Sequence, residues 1–128
     1  LQYAVIEGVS FGILDGVNSI LKVNNNFEKI FMVGGGSKSK FWIELLASLL
    51  NRKLSVCDQS EFGAALGVAR LAMYVDKNID KKENIIKEIN ASKSFNPNQD
   101  KIDLLLKRYN IWRDIYSSNK KIASNLLA

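Results

Sequence analysis

Histidine is missing from the 128-residue sequence, and cysteine and proline occur once each. Without an imidazole, Ser-His-Asp and Cys-His nucleophilic catalysis are excluded, and so is any metal site that relies on histidine. The lone Cys57 cannot close an internal disulfide, which excludes a disulfide scaffold and leads us to expect a reducing, cytoplasmic setting. No uninterrupted apolar run approaches the ~20 residues of a membrane span. The opening Leu1-Gln2-Tyr3-Ala4-Val5-Ile6-Glu7 has no basic stretch and soon reaches a carboxylate. Neither a membrane span nor a signal peptide is expected. The first residue is not methionine and the pattern opens as if within a helix, so we expect a truncated protein or a domain of a longer one.

What is present suits one ordinary globular domain: 47% hydrophobic residues, 24% charged and eight glycines. A domain of this size buries roughly two-thirds of its unfolded surface, enough for one core. The net charge of +5 could signal an anionic partner, but the lysines are scattered and many fall in the mixed-charge residues 77–88. A solvated surface is the plainer reading. Aromatic and basic residues do not interleave along one face and no nucleic-acid motif is present, so no nucleic-acid partner is expected.

Residues 2–23 read as a helix with Ile6, Val9, Ile13, Val17 and Ile20 on one stripe and Gly8, Gly12 and Gly16 on another, which suggests close approach of a neighbouring backbone. Asn24-Asn25-Asn26 is a turn cluster. Residues 27–33 read as a buried strand, since Ile30-Phe31-Met32-Val33 is continuously apolar. A helix follows over 38–51, with Trp42, Leu45, Leu46, Leu49 and Leu50 at helical spacing. Residues 54–57 form a second strand, and 61–75 a third helix with Phe62, Ala65, Leu66, Ala69 and Met73 inward. Residues 76–95 read as a variable polar connection, and 98–118 as an amphipathic C-terminal helix carrying Ile102, Leu105, Leu106, Tyr109, Trp112 and Tyr116. Strand, helix, strand, helix predicts two parallel strands joined by a right-handed crossover. Two strands are few for a parallel sheet, so the expected fold class is the back half of an α/β domain. An unpaired edge on the 30–33 strand predicts weak stability or homo-oligomerisation.

The most informative segment is Gly34-Gly35-Gly36-Ser37-Lys38-Ser39, between a buried strand and a helix. Glycines admit a ligand close to the backbone, and a helix N-terminus offers free N–H donors to phosphate. Ser37 and Ser39 can cap the helix or bond a ribose. A tight turn that binds nothing is equally compatible. A P-loop is not encoded, and the dinucleotide pattern Gly-x-Gly-x-x-Gly is half met, with Ser39 at its third position. Asp58 falls where a ribose-binding acid would, which keeps a nicotinamide-dependent enzyme as an alternative. A second segment, Glu61-Phe62-Gly63-Ala64-Ala65-Leu66-Gly67-Val68-Ala69, loads one side of a helix with small residues. These suit tight packing, or a surface on which a flat adenine lies.

At their spacing the two segments together resemble the C-terminal end of the FGGY carbohydrate kinases, and within them the xylulose kinases. The helix centred on Glu7-Gly8 and the closing Asn96-Pro97 and Arg108-Tyr109-Asn110-Ile111-Trp112 are similar to that family as well. The resemblance implies the back half of an actin-like ATPase (ribonuclease H-like) domain. It implies an adenine nucleotide at Gly34, Gly35, Gly36, Ser37 and Ser39, with Gly63, Ala64 and Gly67 bordering the adenine pocket. ATP with Mg²⁺ would serve the intact enzyme in making xylulose 5-phosphate; the alternatives are a kinase for another sugar or polyol of the family, or a truncated non-catalytic remnant or partner-docking nucleotide-binding module. The family's catalytic base and sugar loops lie in stretches with no counterpart in this sequence. Asp15, Asp58 and Glu61 match no such context, so no catalytic residue and no metal ligand is assigned. The sequence departs from the family at Ala47-Ser48, where relatives carry Ala-Asp.

Overall fold

The computed structural model describes residues 1–23, 29–58, 60–76 and 90–126. Along these the elements run α1 (Gln2–Leu21), a 3-10 turn (Gly35–Lys38), α2 (Lys40–Leu50), β1 (Leu54–Val56), a second 3-10 turn (Ser60–Phe62), α3 (Gly63–Val75), β2 (Lys93–Phe95) and α4 (Gln99–Leu126). The expected Asn24–Asn26 cluster, Phe27 and most of the 76–95 connection lie outside the described residues.

Helix α2 organises the interior because it is apolar on nearly every side. One face, with Leu45 and Leu49, meets Phe11 and Leu14 of α1 and Leu105 and Tyr109 of α4. The other, with Ile43, Leu46 and Ala47, covers Leu54 and Val56 of β1. Ser39 caps its start by accepting the Trp42 N–H at 3.3 Å. Asn51 ends it in the left-handed conformation at φ 48°. Buried Ser48 donates to the Glu44 carbonyl and accepts the Asn98 N–H at 3.0 Å, which docks the turn that leads into α4.

Three expectations need correction. The pairing of two parallel strands survives only as a single parallel bridge, Phe31 to Ser55, while the regular partner of β1 is the antiparallel β2. Residues 93–95, read as part of a polar loop, therefore supply an edge strand, its Ser94 opposite Ser55. Second, α1 does not bury its isoleucine and valine stripe. Glu7, Ser10, Phe11 and Leu14 face inward, and Val9, Ile13 and Ile20 stay exposed. Its glycines are not points of close backbone approach either: a Cβ at Gly12 or Gly16 would meet nothing within 4 Å, and one at Gly8 would meet only the Trp112 side chain, at 3.9 Å. Third, none of the α3 residues expected inward is buried.

Helix α1 also has the length and mean apolarity of a membrane span, although Glu7, Ser10 and Asp15 interrupt its apolar run. Its two carboxylates are tied to α4: Glu7 to Arg108 at 2.9 Å and Asp15 to Arg113 at 3.8 Å. Phe11 packs on Tyr109 and Trp112, with ring centroids 5.8 and 5.9 Å away. These contacts fit a core helix.

Candidate functional site: the glycine turn

The parallel bridge determines where chemistry can sit. Ser55 N–H donates to the Ile30 carbonyl and Met32 N–H to the Ser55 carbonyl, both at 2.9 Å, so the two segments run side by side. Their carboxyl ends open on the same side, the usual place for ligands in α/β folds. The glycine turn follows the first and the 57–62 segment the second. Gly34 adopts φ +81°, a conformation that favours glycine, and its N–H donates to the Ser60 carbonyl at 2.8 Å. Ser37 lies buried, donating to the Gly34 carbonyl at 2.7 Å. With that proton used, the Ser60 hydroxyl must be the donor in the 2.6 Å bond between the two serines. Ser37 thus fastens the turn to the neighbouring loop.

The remaining expected residues divide by what surrounds them. A Cβ on Gly35 would meet nothing within 4 Å, so this backbone is open to an approaching molecule. On Gly36 it would lie 2.7 Å from the Trp42 ring, and on Gly63 it would lie 3.0 Å from Val33. Those two glycines therefore have packing reasons. Ser39 stands at the α2 N-terminus, where helix donors and dipole favour an anion. Ala64 and Gly67 lie on the exposed face of α3, and a Cβ on Gly67 meets open space. The turn residues are brought together, and Ala64 and Gly67 lie exposed on α3, whose first residue Gly63 packs against Val33 just before the turn. Beside the turn lies a cleft of about 740 Å³, lined by Ser37, Lys38, Lys40, Cys57, Asp58, Ser60 and Lys93 among others.

Three residues that sequence reasoning missed contribute. Ser60 is buried against Ser37, and its one signal was its place at a strand end just before the small-residue segment. Ser10 and Glu7 are polar positions on the buried face of α1, visible only once their partners are known. Glu7 keeps Oε1 buried without a described partner while Oε2 meets Arg108. Burial, and the Glu7 carboxylate nearby, push the Tyr3 phenol above its usual range. Burial, and donation to Asp15, do the same for Tyr109. Asp15 is thereby engaged in structure, Asp58 lines the cleft, and Glu61 belongs to the second 3-10 turn.

Residues 1–75 match the family profile for the C-terminal domain of the FGGY family of carbohydrate kinases. The chain belongs to that family. It is 30% identical over 125 residues to a xylulose kinase of Staphylococcus epidermidis, covering 97% of this chain and 25% of that protein. To a xylulose kinase of Escherichia coli it is 33% identical over 72 residues, 56% of this chain and 15% of the relative. Among solved structures, a xyloylose kinase from Brucella ovis superposes with a TM-score of 0.77 at 26% identity, over 95% of this chain and 25% of that one. A ligand-bound xylulose kinase from Lactobacillus acidophilus gives 0.64 at 26% identity, over 90% and 23%. The fold is that of FGGY kinases, and the chain spans about a quarter of the length of the curated relatives it matches.

Sugar-kinase membership implies nucleotide-dependent phosphoryl transfer. The residues present are compatible with a nucleotide: the Gly35 backbone is open, with nothing within 4 Å of where a Cβ would stand, beside a capped helix N-terminus. Among the described residues no group of three or more Cys, Asp or Glu converges.

Proposed function

We propose that this chain is the nucleotide-binding C-terminal part of a sugar kinase whose intact form phosphorylates xylulose to xylulose 5-phosphate. The observation that carries the reading is the open backbone at Gly35, at the strand-to-helix turn of a chain in the FGGY family. An adenine nucleotide would lie across this turn, its phosphates facing the α2 N-terminus near Ser39, its adenine toward Ala64 and Gly67. Phosphoryl transfer depends chiefly on holding two substrates in line and stabilising the charge that develops. The turn supplies the first of these for one substrate, because Gly34, Ser37 and Ser60 hold its backbone rigid. Magnesium, held by the phosphates and by carboxylates in the remainder of such an enzyme, would neutralise phosphate charge. The sugar site and the base that deprotonates the sugar hydroxyl belong to the remainder of such an enzyme, in the cytoplasm.

The reading predicts that the isolated chain does not phosphorylate sugar. Losing a general base alone removes about 10²–10⁴-fold of rate, and losing a positioned second substrate removes more. Coupled ADP release with xylulose and Mg-ATP measures this. Turnover at the few-per-second rate of ordinary enzymes would refute the assignment and direct attention to Asp15, Asp58 and Glu61.

A second reading, a non-catalytic module that docks with a complementary chain, is favoured by the uncovered apolar faces. Val5, Val9 and Ile13 on α1, Phe62 just before α3, and Val68 and Leu71 on α3 are all exposed. Restoration of kinase activity by a separately supplied upstream portion would show that those faces are seams in an active enzyme.

A further inference from the structure

We propose that Trp42 is a positioning residue for the glycine turn, held by Ser10 of α1, and that this pair sets where the Gly35–Gly36 backbone stands for a nucleotide. The proposal rests on the reading of that turn as a nucleotide site.

Trp42 touches the turn twice. Its backbone N–H donates to Ser39 Oγ at 3.3 Å, and its ring lies under Gly36, so close that a Cβ there would stand 2.7 Å from Cζ3 and 3.0 Å from Cε3. The ring is therefore the floor on which Gly36 rests, and any swing of the indole moves the turn. Rotation is opposed at the far edge of the ring, where Nε1 donates to Ser10 Oγ at 3.0 Å. Ser10 is fully buried and donates its own proton to the Ile6 carbonyl at 2.7 Å. Its hydroxyl is thus left as an oriented acceptor aimed at the indole.

A buried hydroxyl in a helix interior is unfavourable unless bonded, and it competes with the helix backbone. Alanine would serve α1 better as a helix former at an inward position. The indole N–H is the partner that gives this serine a purpose. Without Ser10 the indole N–H would be left without that acceptor. Through this bond α1, outside the turn's own segment, gains mechanical contact with the site. The effect on the ligand is indirect: neither Ser10 nor Trp42 is a catalytic residue.

The test titrates ADP into the isotopically labelled full chain, following the Gly35 and Gly36 amides and the Trp42 indole resonance. In the parent protein ADP should shift all three signals. Ser10→Ala and Trp42→Phe should each weaken ADP binding about fivefold, the ratio equivalent to the ~1 kcal/mol of one neutral hydrogen bond. The double variant should lose no more than either single one, because both remove the same link. Ser48→Ala, which removes an equally buried serine from the opposite end of α2, should lower the melting temperature but leave ADP affinity within twofold. Unchanged affinity in Ser10→Ala or in Trp42→Phe, with the parent still binding, would overturn the positioning role and leave the nucleotide reading intact. An equal loss in Ser48→Ala would overturn it too, by reducing the effect to general loosening. Absence of ADP binding by the parent would instead overturn the nucleotide reading and this proposal with it.

Discussion

Replacing Gly36 by alanine puts a Cβ 2.7 Å from Trp42 Cζ3 and 3.0 Å from both Trp42 Cε3 and Met32 Cε. The methionine methyl is the end of a flexible side chain and can turn aside. The tryptophan cannot, because its backbone is bonded to Ser39 and its indole to Ser10. Relief must come from a shift of the turn itself, and overpacking of this kind costs about 1–3 kcal/mol. Gly35 is the internal control, one residue away. A Cβ there meets nothing within 4 Å, so Gly35→Ala should be neutral or stabilise by about 0.4–1 kcal/mol through the unfolded chain. The two variants should differ by about 2 kcal/mol, or about 6–10 °C in melting temperature for a chain of this length. Urea and thermal unfolding followed by circular dichroism would measure both against the parent. If Gly36→Ala and Gly35→Ala unfold together, the indole is not the floor of the turn and the geometry argued above is wrong.

Arg108→Met should destabilise the fold by about 2 kcal/mol, because Glu7 stays buried and loses its charged partner at 2.9 Å; urea unfolding at neutral pH reads the loss. Tyr109 ionises above its usual ~10, through burial and its bond to Asp15, so its contribution is complete below about pH 10 and declines as pH rises through the elevated value. Tyr109→Phe should accordingly flatten the alkaline limb of the stability-against-pH curve, measured by unfolding between pH 8 and 11; an unaltered limb would contradict the assignment. Gly35→Val should remove measurable ADP binding by calorimetry while retaining a cooperative melt, since a branched side chain occupies the space left open there.

Helix α2 was legible because its leucines recur at spacings that only a helix brings onto one side, and the structure buries Leu45, Leu46 and Leu49. Helix α1 was legible as a helix but not as to face. By side-chain type the Ile6–Val9–Ile13 stripe is the more apolar, yet the face with Glu7 and Ser10 goes inward. That choice is made by partners far along the chain: Arg108 for Glu7, Trp42 for Ser10, Tyr109 and Trp112 for Phe11. Periodicity within one helix contains none of this. The edge strand at 93–95 escaped notice because three residues reading Lys-Ser-Phe show no alternation to detect, and its pairing with Leu54–Val56 spans some forty residues. The apolar α3 residues were expected inward from pattern alone, but none is buried, because no described element covers that helix. At the site the glycine turn was legible from composition. Its fastening was not, since the Ser37–Ser60 bond depends on two strand ends lying side by side.

The account's central claim is that the 34–39 turn accepts an adenine nucleotide, and parallel titrations of ADP and NAD into the isotopically labelled chain test it most directly. ADP should shift the Gly35, Gly36 and Ser39 amides in a saturable manner, and NAD should leave them closer to their starting positions. A Gly35 amide that moves with NAD but stays fixed with ADP would contradict the claim.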